Sequence, residues 1–197
     1  MQLGVPKEQH PGENRVAMTP ETAKKLVRLG ATVHIEAGLG EGSGWKDEEF
    51  TEAGAEISSD RDAIISTSDM LLRIRKPAIE EVARMKRGCI HISYLDPFNE
   101  HDLVRAFADA GVTAISMEMI PRSTRSQKMD ALSSQANLAG YVMVMLAATR
   151  LPRILPMMMT PAGTLKPAKV FIIGAGVAGL QAIATAKRLG AKVMAFD

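Results

Sequence analysis

The sequence has 197 residues, 46% of them hydrophobic and 23% charged, and its 24 basic and 22 acidic residues give a formal net charge of +2. This balance, with only 4% aromatic residues, argues against a nucleic-acid partner, which needs basic clusters or stacking surfaces. The single cysteine excludes a disulfide framework, and the four histidines share no ligand spacing, so no metal site is predicted.

Short apolar strands alternate with helices through residues 1–120. One helix begins at Thr19-Pro20-Glu21, with Thr19 as the N-cap and proline at the first helical position. Strands separated by helices imply crossover connections and a mostly parallel sheet. The predicted strands of this first domain are Gln2 to Val5, Thr32 to Ile35, Met70 to Ile74, Cys89 to Ser93 and Val112 to Ser116.

The chain changes character after Ile120. Residues 121–167 comprise a polar segment to Asn137, an overlapping long apolar helix and a connector from Met157 to Pro167. Residues 168–197 predict a strand, a helix and a second strand. The expected fold class is α/β, with two Rossmann-like doubly wound parallel-sheet domains, the second incomplete after β-α-β. The uncharged stretch Val170 to Ala186 is interrupted by glycines, so no membrane-spanning segment is expected.

A glycine motif, Gly174-Ala-Gly176-Val-Ala-Gly179, lies between the first strand and the helix of this second domain. The first glycine permits a tight turn, the second lets the backbone approach a pyrophosphate, and the third permits close helix–strand packing. Asp197 follows the next strand, where a carboxylate binds the ribose 2′-hydroxyl and repels a 2′-phosphate. The pattern therefore predicts dinucleotide binding and favours NAD over NADP.

The polar segment from Arg122 to Asn137 admits two interpretations. It lies between two α/β regions, where dinucleotide clefts form, but it is also compatible with a solvated loop in which Asp130 caps the following helix. The cluster of Arg73, Arg75 and Lys76 at a strand end is similarly open, as an anion site or as solvated charge.

Four segments together resemble the alanine dehydrogenase/nicotinamide nucleotide transhydrogenase family. The resemblance extends over the whole chain and is most specific in the Arg-rich Ser-Gln-Lys-Met-Asp-Ala-Leu-Ser-Ser segment. Within the family it points to the NAD(H)-binding domain of the transhydrogenase alpha subunit. The segments are Gly4 to Glu8, Asn14 to Pro20, Pro121 to Asn137 and Gly174 to Asp197.

The resemblance implies roles for particular residues. In the transhydrogenase branch the matching side chains hold the nicotinamide end of NAD(H), which makes Arg122, Gln127, Asp130 and Ser133 the expected catalytic-site residues, with Arg125 and Ser134 as neighbours. The expected cofactor-binding residues of the glycine turn and the following acid are Gly174, Gly176, Val177, Ala178, Gly179 and Asp197.

The resemblance also implies partners. NADP(H) would be held by a separate domain, hydride would pass directly between the two nicotinamides, and a membrane domain would couple the transfer to proton translocation. A homodimer is expected, peripheral on the cytoplasmic face of the inner membrane, or on the matrix face in a mitochondrion.

Two rival functions stay open. The family's alanine dehydrogenases have a lysine and a histidine where this sequence has Arg75 and Asp96, and an amino-acid dehydrogenase needs a titratable acid/base that arginine cannot supply. Arg15 is expected in both branches. The third hypothesis is a non-catalytic fragment, because a second domain of only two strands is expected to bind NADH poorly and to aggregate.

Overall fold

The polypeptide divides into two units, Met1–Ile120 and Pro121–Asp197, and the computed structural model describes all 197 residues. The first unit has six strands, β1 (Gln2–Val5), β2 (Thr32–Glu36), β3 (Glu56–Ser58), β4 (Met70–Leu72), β5 (Ile90–Ser93) and β6 (Thr113–Ser116). All six pair in parallel, in the order β3-β2-β1-β4-β5-β6. The strand order reverses between β1 and β4, so a crevice opens at their carboxyl ends.

Five helices connect these strands: α1 (Pro20–Arg28), α2 (Asp47–Glu52), α3 (Arg61–Thr67), α4 (Ile79–Val82) and α5 (His101–Ala110). Thr19 caps α1 by accepting a hydrogen bond from the backbone N–H of Thr22, and Pro20 occupies the first turn, as predicted. Asp60 caps α3 through the N–H of Ala63. Side-chain capping satisfies donors that a helix start leaves without partners.

Two apolar clusters make the core of the first unit. One lies around Val5, Ile35 and Phe50, all fully buried, and the other includes Leu71 and Phe107. The central strand β1 is buried from its second residue onward. This continuous burial is typical of a parallel strand covered by helices on both faces.

The second unit contains α6 (Ala131–Arg150), β7 (Met158–Thr160), β8 (Gly163–Leu165), β9 (Lys169–Ile173), α7 (Val177–Arg188) and β10 (Lys192–Phe196). Strands β9 and β10 are parallel, with Val170 opposite Val193 and Ile173 opposite Phe196. Helices α6 and α7 pack against each other, and their cluster of buried residues also contacts the β9–β10 pair. Strands β7 and β8 form an antiparallel hairpin.

Helix α6 is long and apolar enough, by length and composition alone, to cross a membrane. Core helices of soluble proteins meet the same criterion, and α6 packs on α7 through the buried residues Gly140 and Val144. The stretch Val170 to Ala186 is divided between β9, the glycine turn and α7.

The predicted α/β class is confirmed, with additional elements. The predicted connector Met157 to Pro167 contains the hairpin β7–β8, and β3 and α3 were not predicted. The hairpin strands consist of exposed residues, so they lack the alternation of buried and exposed side chains that predicts a half-buried strand.

Candidate functional site

A cavity of about 640 Å³ lies within the second unit, between the start of α6 and the start of α7. Arg122 and Ser133, from the polar segment, line it together with the glycine turn. The structure thus brings part of one predicted cluster into one cavity with the other, although they are separated by about 40 residues of chain. The lining residues from the turn are Gly174, Gly176, Val177, Ala178 and Gly179.

The glycine turn has the geometry that a bound pyrophosphate requires. Gly174 has a φ of +92°, a conformation that favours glycine, and a Cβ at Gly179 would lie 1.8 Å from the carbonyl oxygen of Gly174. A Cβ at Gly176 would meet nothing within 4 Å, so the backbone is open to a ligand there. No side chain caps α7 at Gly176, which leaves its first N–H groups for an anion. The turn therefore fits a dinucleotide.

Asp197 follows β10 directly, at the carboxyl end of the strand. The backbone N–H of Gly174 donates to the carbonyl of Phe196 over 2.7 Å, so the acid is one residue from a direct bond to the glycine turn. Asp197 does not line the cavity itself, but its place at this edge is where a ribose carboxylate is expected.

Asp130 caps α6. It accepts hydrogen bonds from the Ser133 backbone N–H over 2.9 Å and from the Ser133 hydroxyl over 2.6 Å. The Ser133 side chain and then its backbone lower the pKa of Asp130, and the Arg122 charge acts in the same direction. The capping interpretation of Asp130 is therefore correct, and through the cap Asp130 also fixes the hydroxyl of Ser133 beside the cavity.

Gln127, Arg125 and Ser134 are exposed or half-buried and do not line the cavity. Gln127 begins a 3₁₀ turn, Gln127–Met129, which leads into the Asp130 cap. Sequence reasoning missed the apolar part of the lining, which includes Phe171, Ile173 and Met143. Their periodicity marks them only as strand or helix residues, so no signal distinguished them from core.

The first unit has a cluster of charges at its crevice. The carboxylate of Glu8, after β1, accepts the backbone N–H groups of Ile74 and Arg75, after β4, so it bridges the reversal point. Glu13 accepts from Arg15 over 2.7 and 2.6 Å and from Arg75 over 2.8 Å. Hydrogen bonding from Arg15 outweighs burial and lowers the pKa of Glu13 from an ordinary 4.5 to about 2.

Asp96, one of the two positions that separate the rival functions, has a φ of +52°, in the left-handed region. Its carboxylate accepts from the Asn99 amide over 2.8 Å, and its backbone N–H donates to Glu118. Asp96 is therefore held in a local turn. With Arg75 bound to Glu13, neither residue supplies the titratable base that an amino-acid dehydrogenase requires.

Other candidates belong to the core. Cys89 is buried, and desolvation raises its pKa to about 11, so it is not a nucleophile at neutral pH. His91 is fully buried with its Nε2 3.0 Å from the Ser93 hydroxyl, and burial lowers its pKa to about 3. No group of three or more potential metal-ligating side chains is present.

The parallel sheets, the glycine turn and the open start of α7 define an α/β protein of the Rossmann type. The model of the alanine dehydrogenase/PNT N-terminal domain matches residues 4–139, and that of the C-terminal domain matches residues 143–197. The chain therefore belongs to the alanine dehydrogenase/PNT family, a family that implies NAD(H) binding, and the resemblance found in the sequence is confirmed.

Three relatives illustrate the similarity. The first of the separately encoded segments of the NAD(P) transhydrogenase alpha subunit of Rhodospirillum rubrum is 47% identical over the whole chain and 53% of its own length. The crystal structure of transhydrogenase from Sinorhizobium meliloti superposes with a TM-score of 0.94 at 49% identity, over 99% of this chain and 56% of that one. Alanine dehydrogenase of Methanococcus maripaludis is more distant, 34% identical over the whole chain and 53% of its own length. The chain spans about half the length of these relatives.

Proposed function

We propose that this chain is the NAD(H)-binding component of a proton-translocating NAD(P)+ transhydrogenase, which passes hydride directly between NADH and NADP+. The observation that carries the proposal is the cavity itself, because Arg122 and Ser133 line it together with the glycine turn. The phosphate-binding and nicotinamide-binding parts of one extended dinucleotide would then lie along a single cavity.

The residues have separate tasks in this proposal. Gly176 and the first N–H groups of α7 bind the pyrophosphate, and Asp197 accepts from the adenosine ribose and repels a 2′-phosphate. Arg122, Gln127, Asp130 and Ser133 orient the nicotinamide, Asp130 acting by holding the hydroxyl of Ser133. The bound NADH supplies the hydride, so the chain itself needs no acid or base. Its contribution is position and the exclusion of water by apolar lining residues.

The relatives' names support the wider assembly that we propose. The relative from Rhodospirillum is named as one segment of an alpha subunit, so further subunits or domains are expected to hold NADP(H) and to cross the membrane. We place this chain as a peripheral component, facing the cytoplasm or the mitochondrial matrix, and as a homodimer. The 197-residue polypeptide alone is proposed to be inactive, because Phe171, Ile173 and Phe196 are exposed on its β9–β10 strands.

The test is direct transfer. The full-length subunit, reconstituted with its partner subunits, is mixed with NADH and the thionicotinamide analogue of NADP+, and reduction of the analogue is followed by absorbance. We expect NADH-dependent reduction in the absence of any amino acid. NADH oxidation that instead requires pyruvate and ammonia would replace the proposal with an alanine-type dehydrogenase. Full-length subunit that binds NADH but catalyses neither reaction would indicate a binding module.

A further inference from the structure

Gly140 is the only glycine in the 20 residues of α6, and it is buried against α7. A Cβ built at Gly140 would lie 2.2 Å from the carbonyl oxygen of Ala178, 3.0 Å from its carbonyl carbon and 3.1 Å from its Cα. All three are backbone atoms, which cannot swing aside as the end of a flexible side chain can. The two helices therefore touch backbone to backbone at this point, and no other amino acid fits without moving one of them.

This contact lies between the two halves of the candidate site. Ala178 is the second residue of α7 and lines the cavity beside Gly176 and Val177. Ser133 lies seven residues before Gly140 on the same helix, about 10 Å along its axis. Because α6 is continuous from Ala131 to Arg150, a shift of α7 away from Gly140 changes the distance between Ser133 and the glycine turn.

The packing around the contact leaves little room for compensation. Val144, one turn along α6, and Ala182, one turn along α7, are both buried in the same apolar cluster. The third glycine of the turn is equally constrained, since a Cβ at Gly179 would meet the carbonyl oxygen of Gly174. The start of α7 is thus confined by β9 on one side and by α6 on the other.

We propose that Gly140 is a positioning residue, whose missing side chain sets the spacing between the nicotinamide-binding end of α6 and the phosphate-binding turn before α7. The proposal rests on the proposed function. Gly140→Ala separates the two helix starts by roughly 1 Å, because a methyl group needs more than about 3 Å from the Ala178 carbonyl. The phosphates stay on the turn, whereas the nicotinamide loses its alignment.

The experiment uses the full-length subunit with its partner subunits and compares wild type, Gly140→Ala and Ala139→Ser. Ala139 is the exposed neighbour on α6, so Ala139→Ser adds one atom without reaching α7. We expect Gly140→Ala to lower the kcat of hydride transfer by about 100-fold, in the range that a 1 Å misplacement causes. The Kd for NADH, measured by calorimetry, should change less than about threefold, and the fluorescence of bound NADH should differ from that of wild type. Ala139→Ser should match wild type in all three.

Each result is decisive. Transfer by Gly140→Ala at the wild-type rate would overturn the proposal, and so would loss of NADH binding together with the unfolding transition, which would make Gly140 a folding requirement. Val144→Leu, which widens the same helix pair one turn away, provides a milder variant and should lower kcat by a smaller factor with the Kd retained; an unchanged kcat there counts against the proposal. Absence of transfer in wild type would instead refute the proposed function.

Discussion

The carboxylate of Glu13 lies between the guanidinium groups of Arg15 and Arg75 at the crevice of the first unit. Its side chain is 4% exposed, whereas those of Arg15 and Arg75 are 39% and 46% exposed. Two cations that share one buried anion repel each other when that anion is neutralised. Glu13 therefore has a structural task at the reversal point, independent of any ligand.

The stability of the first unit should consequently depend on pH through Glu13. Its folded pKa of about 2 is below the ordinary 4.5, so its stabilising contribution is complete above about pH 4.5 and is lost as pH falls toward 2. Glu13→Gln should be less stable than wild type at pH 7, and the difference should shrink between pH 4.5 and 2. Urea unfolding at several pH values measures this. Glu41→Gln is the control, because Glu41 pairs with Lys7 while 72% exposed; a constant wild-type difference for Glu13→Gln would contradict the prediction.

Asp197 differs from Asp130 in its surroundings, since Asp130 caps a helix and Asp197 follows a strand. In a full-length chain, Asp197→Ala should weaken NADH binding by about 1.5–3 kcal/mol, the order of a hydrogen bond to a charged group. Binding of NADPH should not weaken, because the substitution also removes a repelling charge. Calorimetry with both nucleotides, and Asp197→Asn as the variant of matched shape, distinguishes these effects. Equal losses for NADH and NADPH would argue against a contact to the ribose.

A buried ion network joins four elements of the first unit. Arg61, the first residue of α3, donates to Glu36 at the end of β2 and to Glu81 on α4, and Arg73, after β4, donates to Glu81 over 2.6 Å. Burial alone would raise the pKa of Glu81, but the hydrogen bonds and charges of Arg73 and Arg61 outweigh it, and the net pKa is lowered. Arg73 is therefore a structural cation, which answers part of the question left by the basic cluster in the sequence.

Removing Glu81 should be costly because Arg73 would stay buried without its anion. Glu81→Ala should destabilise the first unit by roughly 3–5 kcal/mol, the range found when one member of a buried ion pair is deleted. Its neighbour Glu80 is exposed, so Glu80→Ala should change stability by less than about 0.5 kcal/mol. Urea unfolding of both variants at pH 7 provides the comparison. Similar values for the two would show that the network contributes little.

The unpredicted elements β3 and α3 have weak local signals. Strand β3 has three residues, of which only Ile57 is apolar, so it is too short for a period-two pattern. Helix α3 has seven residues and includes three β-branched ones, Ile64, Ile65 and Thr67, which disfavour helix. Burial of both isoleucines, 3% and 1% exposed, stabilises the helix in its tertiary setting. Longer elements with caps, such as α1 and α6, were predictable.

The net charge of +2 conceals a difference between the units. Residues 1–120 contain 14 basic and 20 acidic residues, whereas residues 121–197 contain 10 basic and 2 acidic. The unit with the glycine turn is thus strongly basic. Such a field favours the approach of an anionic dinucleotide and makes that approach sensitive to salt.

The two units also differ in how fully their strands are covered. Strand β1 is paired on both sides and buried, whereas β9 pairs only with β10, and Phe171 and Ile173 are 59% and 79% exposed. In the 197-residue polypeptide, amides of β1 should exchange with solvent at least about tenfold more slowly than amides of β9, since local opening of a two-stranded sheet breaks fewer contacts. Hydrogen exchange with mass spectrometry measures both. Equal protection would indicate one cooperative unit.

The sequence by itself determined what depends on neighbours along the chain: the α/β alternation, the Thr19 and Asp130 caps, and the conformation of the glycine turn. These features follow from backbone sterics and short-range hydrogen bonds, which act within a few residues.

Only the tertiary structure decided which of these features share a site. Arg122 and the glycine turn line one cavity because α6 meets α7 at Gly140, a contact between residues about 40 positions apart. The partners of Glu13 and Glu81 were equally invisible in the sequence, because ion pairs across elements depend on how helices pack on the sheet and leave no periodic pattern. Packing of distant residues therefore assembled the site from motifs that local chemistry had already formed.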